Sequence, residues 1–328
     1  MAKTELNQGD LVHGGTDGAS AIASAAQEEI EVVENQRAAK RLSRGEIFRR
    51  RFLRNRSAVI GLIGFLGIIL LALVGPMISP WHFTESDFLS FHTPPDANHW
   101  LGTTKDGSDV FAMTVEGLRK SLVIGLSVAT IQIVVATTIG SAAAYFGGWF
   151  DKLALWVIDL MLVIPAFLTI AIISQRVSAE SKGSVWMFII LLGAFGWMLT
   201  SRVVRSMTLS VRNQDYVTAA KYMSVPAPVI IVRHIIPNIS SYLIIDFTLG
   251  VAAAVLSETT LSYFGFGVKP PNTSLGTLIA QSQGDVVVYP WTFIAPALVL
   301  VVMLVCINLI GDGVRDALDS SSKSGGQA

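Results

Sequence analysis

Residues 215–238 read DYVTAAKYMSVPAPVIIVRHIIPN, a polar, proline-bearing stretch set between long apolar runs. Its first eight residues suit a short helix. Pro226 and Pro228 end it, because proline lacks an N–H and its ring clashes with the preceding turn. Residues 229–236 then run into Pro237, which is pre-organised for the first turn of a following helix. Ala219 and Ala220, at the centre of the short helix, form a surface that another protein's groove can approach closely. A polar helix on an otherwise apolar chain reads as a contact surface joined to the span after it.

The rest of the chain supplies the apolar setting. Of 328 residues, 52% are hydrophobic and 15% charged, where soluble domains carry about a quarter charged. Six apolar runs follow a polar N-terminal tail, at about 58–78, 121–146, 153–173, 185–201, 239–257 and 291–310. Crossing a hydrocarbon core of about 30 Å takes about 20 helical residues. The fourth run is short and borrows Val203 and Val204. The fold class expected is all-α polytopic membrane, with six transmembrane helices. The domains are a cytoplasmic tail over 1–47, expected to be disordered, a membrane domain over 48–314, and a short cytoplasmic tail over 315–328.

Cationic residues orient such a chain. With the N-terminus inside, 18 of the 24 lysines and arginines fall on the inner side, including the cluster Arg49, Arg50, Arg51, Arg54 and Arg56. Both termini and the 215–238 stretch are therefore expected in the cytoplasm. The formal net charge of zero gives no footing for nucleic acid. Cys306 is the only cysteine, so no internal disulfide forms. The first apolar run starts too far from Met1 for a cleavable signal, and is expected to stay as an anchor. On the outer side, a loop rich in aromatic, proline and histidine residues precedes a short helix around 109–118. A second long outer loop spans 259–290.

At this point the chain is similar to a known family. The 215–238 stretch resembles the cytoplasmic coupling segment of ABC importer membrane subunits, whose pattern is Glu-Ala-Ala-x-x-x-Gly with an apolar-Pro pair further on. Thr218, Ala219 and Ala220 stand at the Glu-Ala-Ala positions, Ser224 at the glycine, and Ile236-Pro237 at the end. Leu101-Gly102-Thr103 with Gly107-Ser108-Asp109-Val110 is similar to an outer motif of dipeptide, oligopeptide and nickel permeases. So is Leu261-Ser262-Tyr263-Phe264-Gly265-Phe266-Gly267-Val268, followed by Pro270, Pro271 and Gly276. The opening from Arg51-Phe52 to Pro80 matches the family's C-type subunit, and the likeness covers roughly 48–320. The chain departs at Thr218 (Glu in the family), Ser224 (Gly) and Ser108 (Arg). Serine in a left-handed position costs a few tenths to about 1 kcal/mol.

The resemblance implies a type I ABC importer permease fold with a cytoplasmic coupling helix, in a bacterial or archaeal cytoplasmic membrane. The implied ATPase-coupling residues are Asp215, Tyr216, Thr218, Ala219, Ala220, Ser224 and Pro237. The implied partners are a second homologous permease, two ABC ATPase subunits, an extracytoplasmic substrate-binding protein and membrane lipid. ATP and Mg belong to the ATPases, and this chain is expected to hold no cofactor. No G-x-x-x-x-G-K-[ST] or H-E-x-x-H is present, and no catalytic residue is assigned. The cargo expected is a dipeptide or oligopeptide, with nickel chelates and oligosaccharides as alternatives.

Some ionisable residues stand apart from those motifs. Asp159 and Asp246 lie within apolar runs, where carboxylates mark a pathway or a buried pair. Asp159 is close enough to the inner side to meet water or a partner helix. Asp246 is the better candidate for the translocation path, against an inter-subunit hydrogen bond. Both would be ion sites if the chain were a self-sufficient secondary transporter, the main rival reading. Glu258 is expected to anchor the loop that follows it. His82, His92 and His99 share an outer loop with Asp87 and Asp96, but their spacing matches no compact metal site, and a solvated loop accounts for them.

Overall fold

The computed structural model describes residues 44–176, 184–269 and 272–318. The expected tail lies outside these residues up to position 43, as do Pro270, Pro271 and residues 319–328. Contacts divide the chain into two units, Met1–Arg49 and Arg50–Ala328. Helix α1 spans Arg44–Arg54. The described residues are helical, apart from loops and two isolated β-bridges, Ser86 with Ser108 and Thr103 with Asp109.

Four helical stretches are long and apolar enough to cross a membrane: Arg56–Ile78 (α2), Val110–Phe146 (α3), Ala227–Tyr263 and Trp291–Leu318 (α12). Two bent pairs raise the number to as many as six. One joins α4 (Gly148–Val163) to α5 (Ala166–Arg176) at 77°, and the other joins α6 (Val185–Gly196) to α7 (Met198–Arg212) at 45°. The third expected run is therefore not one straight helix. Pro165 supplies no N–H, and the residue before a proline is pushed to extended backbone. Ile164 duly adopts φ −78° and ψ 122°. Pro165 was in plain view within the run.

The short helix expected at 109–118 is not separate: α3 continues through it for 37 residues, about 55 Å at 1.5 Å per residue. Asp109 caps it by accepting from the Ala112 N–H at 2.7 Å. The charged residues within it pair along the helix, with Glu116 3.1 Å from Arg119 and 3.3 Å from Lys120. Spacings of three and four place such pairs on one face. Helix α3 is also the centre of the packing, touching α2, α4, α6, α7, α12 and the helix after residue 236.

The fifth run starts earlier than expected. After α8 (Asp215–Tyr222) the chain passes through α9 (Ala227–Ile230), a π-helical turn (Ile231–Ile235) and α10 (Ile236–Tyr263) without leaving a helical path. Pro237 sits in the first turn of α10 rather than opening a new span. Its ring crowds the carbonyl four residues back, and a widened turn upstream makes room. Helix α12 likewise runs to Leu318, three residues past the expected start of the C-terminal tail.

Helices α2 and α12 approach closely through small residues. A Cβ added to Gly61 would lie 2.7 Å from Leu309 Cβ, and one on Gly313 would lie 2.1 Å from Ala58 Cβ. In lipid, where helices gain nothing from hiding apolar surface, such close backbone contact holds them together. One buried cluster joins α2, α3, α10 and α12 around Leu118, Val255 and Met303. A second joins α3, α6 and α10 around Ile124, Phe188 and Leu261.

Candidate functional site

The segment that follows α7 is a short helix with a sharp stop. Helix α8 starts after Gln214, with Asp215 in its first turn and Lys221 in its last, each of the sign that the helix dipole favours. It ends in a Schellman turn: the Ser224 N–H donates to Lys221 O at 3.0 Å and the Val225 N–H to Ala220 O at 3.2 Å. Ser224 is left-handed, with φ 58°. The position therefore requires the conformation that glycine adopts freely, and serine holds it at a cost. Ser224→Gly is expected to stabilise the protein by up to about 1 kcal/mol, read as a higher unfolding midpoint; a lower midpoint would contradict the turn.

The inner face of α8 carries Val217 and Ala220, buried with Ile230 and Ile235 and flanked by Tyr145, Val211 and Val225. Ala220 is only 2% exposed. Of the two alanines, then, only Ala219 lies on the open face, together with Asp215, Tyr216 and Thr218. Ala220 instead lets α8 sit closely on its own chain. Thr218 lines a groove of about 530 Å³ with Tyr145, Phe146, Arg212, Lys221 and Tyr222. A glutamate at 218 would share that groove with Arg212, whose Nη1 now donates to Ala144 O at 2.6 Å. Pro237 is exposed in the first turn of α10, and the ring centroids of Tyr216 and His234 lie 6.4 Å apart.

The two aspartates within the apolar runs have partners within the chain. Asp246 Oδ2 accepts from Thr200 Oγ1 at 3.0 Å, and Oδ1 from the Tyr242 hydroxyl at 3.2 Å. This ties α10 to α7. Asp159 pairs with Arg202 across α4 and α7, which is the partner-helix alternative. A pair that the motifs did not disclose lies beside it: Arg205 Nε and Nη2 donate to the two oxygens of Asp151 at 2.5 and 2.6 Å. Beyond the α4–α5 bend, a cavity of about 270 Å³ is lined by Ala166, Phe167 and Ile170 with Gln132, Ser257 and Thr260.

At the opposite end of α3 the two quoted motifs make fitted turns. Gly102 and Gly107 have φ 74° and 73°, and a Cβ on Gly107 would lie 2.2 Å from Asp87 O. Ser108, where the family has arginine, meets Ser86 with Oγ atoms 3.2 Å apart. Gly265 (φ 81°) closes α10 in a second Schellman turn, with the Phe266 N–H donating to Leu261 O at 2.8 Å. Glu258 is fully buried and accepts from Ser262 Oγ at 2.6 Å and Ser274 Oγ at 2.7 Å. Ser274 in turn caps α11 (Leu275–Ser282), so Glu258 does anchor the loop after it.

The loop histidines do not converge. His82 bonds Thr84, and His92 stacks on Tyr289. His99 corrects the solvated-loop reading: it is 1% exposed, with Nδ1 3.0 Å from Asp109 Oδ2 and its ring stacked 4.7 Å from Trp81. Asp87 lies 3.6 Å from its other nitrogen. The Leu89 N–H, foremost, and then the Ser90 side chain hold the Asp87 carboxyl below its ordinary value. Sequence missed this knot because its members are separated by loop residues that carry no periodic signal.

Two families match this chain. One is described as a binding-protein-dependent transport system inner membrane component and matches residues 136–324. The other is described as the N-terminal TM domain of oligopeptide transport permease C and matches residues 43–95. Among curated relatives, the oligopeptide transport system permease proteins OppC of Mycobacterium tuberculosis and Mycobacterium bovis are each 47% identical over 282 residues. That is 86% of this chain and 96% of theirs. The protein of the same name from Bacillus subtilis is 32% identical over 269 residues, 82% of this chain and 87% of its own.

Proposed function

We propose that this chain, which belongs to the binding-protein-dependent transport system inner membrane component family, is the C-type permease subunit of an ATP-driven importer of oligopeptides or dipeptides. On this reading each bent pair counts as one span, for six crossings, and the excess of arginine and lysine around α8 supports a cytoplasmic position for that helix and for both termini. A second homologous permease completes the path. Two ABC ATPase subunits, which carry ATP and Mg, dock on α8, and an extracytoplasmic binding protein docks on the loops at the other end of α3.

The observation that carries this reading is the build of the 215–263 segment. A short helix is stopped sharply at Ser224 and presents Ala219 on its open side; after the turn through Pro226 the chain runs as an unbroken helical path from Ala227 into a spanning helix. Closure of the ATPases would move α8, and the attached helices would follow as rigid bodies. Peptide as cargo rests on what the relatives are named for.

The test is uptake into proteoliposomes holding the assembled complex. Vanadate-sensitive uptake of a short peptide that requires both ATP and the binding protein is expected. Ionophore-sensitive uptake by this chain alone would instead establish the secondary-transporter reading. Thermal shift of the binding protein with peptides, nickel chelates and oligosaccharides then separates the cargo classes.

A further inference from the structure

Helix α4 meets the rest of the chain through one small apolar cluster, in which Ile158 and Met161 pack with Ala136, Trp197 and Met198. Ile158 is its one buried residue, and Trp156, Leu160 and Val163 are exposed. Both of its ends are places where a helix direction can change. At the start, Gly147 and Gly148 take φ 66° and 58°, conformations open mainly to glycine. At the end, Pro165 breaks the path before α5.

Charge adds to that packing. Arg202 and Arg205 on α7 reach Asp159 and Asp151 on α4. Arg205 and Asp151 are largely shielded, and two parallel N–H···O bonds fix both distance and orientation, as only a guanidinium can. Farther along the same helix, Arg212 donates to the Ala144 and Tyr145 carbonyls at the end of α3. Those carbonyls lack partners within their own helix. Only Asn213 and Gln214 separate α7 from α8.

We infer that the arginines of α7 are positioning residues that make α4 follow the coupling helix, so that motion of α8 re-aims the α4–α5 bend and the cavity beside it. The geometry is a hinged strut. Gly147-Gly148 is one pivot, Pro165 the other, and the Asp151–Arg205 pair is the link that drives the strut. The cavity walls Ala166, Phe167 and Ile170 lie immediately past the second pivot. This inference rests on the importer reading above, and adds to it which residues carry the movement.

The experiment measures peptide transported per ATP hydrolysed by the complete complex in proteoliposomes, for the wild type, Arg205→Ala, Asp151→Ala, the double alanine variant and the exchange Asp151→Arg with Arg205→Asp. Each single variant is expected to lower the ratio about tenfold, equivalent to about 1.4 kcal/mol of coupling. The double variant should be no worse than either single, because one interaction is lost in all three. The exchange should recover most of the ratio. Single variants with the wild-type ratio, or an exchange variant that assembles but recovers nothing, would overturn the link. If the alanine variants do not assemble, Arg205→Lys decides: a ratio between wild type and zero supports the link, and a wild-type ratio makes the pair merely structural. A wild-type complex without ATP-driven uptake would be a failure of the importer reading itself, which is a separate result.

Discussion

Ala219→Arg is expected to reduce ATP-driven uptake by about 30-fold or more while the chain inserts and assembles with its sister permease as before. Arginine is nearly as good a helix former as alanine, so α8 itself loses only a few tenths of a kcal/mol. The damage comes from placing a long charged side chain on the open face, where the proposed ATPase groove would meet a methyl group. Losing one central contact of an interface costs about 2 kcal/mol or more, which is the predicted factor. Ala220→Arg is the control that separates this from misfolding. Ala220 is packed among Val217, Ile230 and Ile235, so the same substitution must bury a charge or expel the helix. It should lower the amount of folded protein rather than uncouple it. Equal behaviour of the two variants in uptake and in protein recovered from the membrane would reject the two-faced assignment of α8.

Glu258→Ala is expected to destabilise the protein by about 3 kcal/mol. The substitution opens a cavity and removes the acceptor of two buried hydroxyls. Ser274 is the cap of α11, so its hydroxyl is also the acceptor for the Thr277 N–H at 3.1 Å. Loss of Glu258 therefore loosens both the end of α10 and the start of α11. Glu258→Gln keeps the volume and an acceptor oxygen, and should cost about 1 kcal/mol. The check is the thermal midpoint of the purified complex. About 6 °C or more of depression is expected for alanine, given roughly 2–4 °C per kcal/mol at this size. An alanine variant as stable as the wild type would deny Glu258 its anchoring part.

Much of this could be read before any coordinates. The α8 helix has the bounds its prolines and alanines suggest, and Ser224 occupies the left-handed position for which glycine is the usual residue. The expected anchor role of Glu258 is met by its bonds to Ser262 and Ser274. Other readings failed for identifiable reasons. The helix around 109–118 looked separate because the apolar run begins only at Ser121, whereas α3 runs through both. His99 looked solvated because the loop around it is polar, whereas Trp81 and Asp109 enclose it.

What the sequence determined by itself is the all-helical, membrane-crossing character, the bounds of the short helix at 215–222 and the family. Each depends on local signals: apolar runs of spanning length, proline and glycine stops, and motifs within a few residues of one another. What only the tertiary structure decided is which face of α8 is open and what steers α4. Ala219 and Ala220 are indistinguishable in sequence and differ only by what packs beneath them. Asp151 and Arg205 are 54 residues apart, and no periodicity in either helix announces that they meet. Their pairing exists because the fold lays α7 beside α4, where Ile158 already packs on Trp197 and Met198.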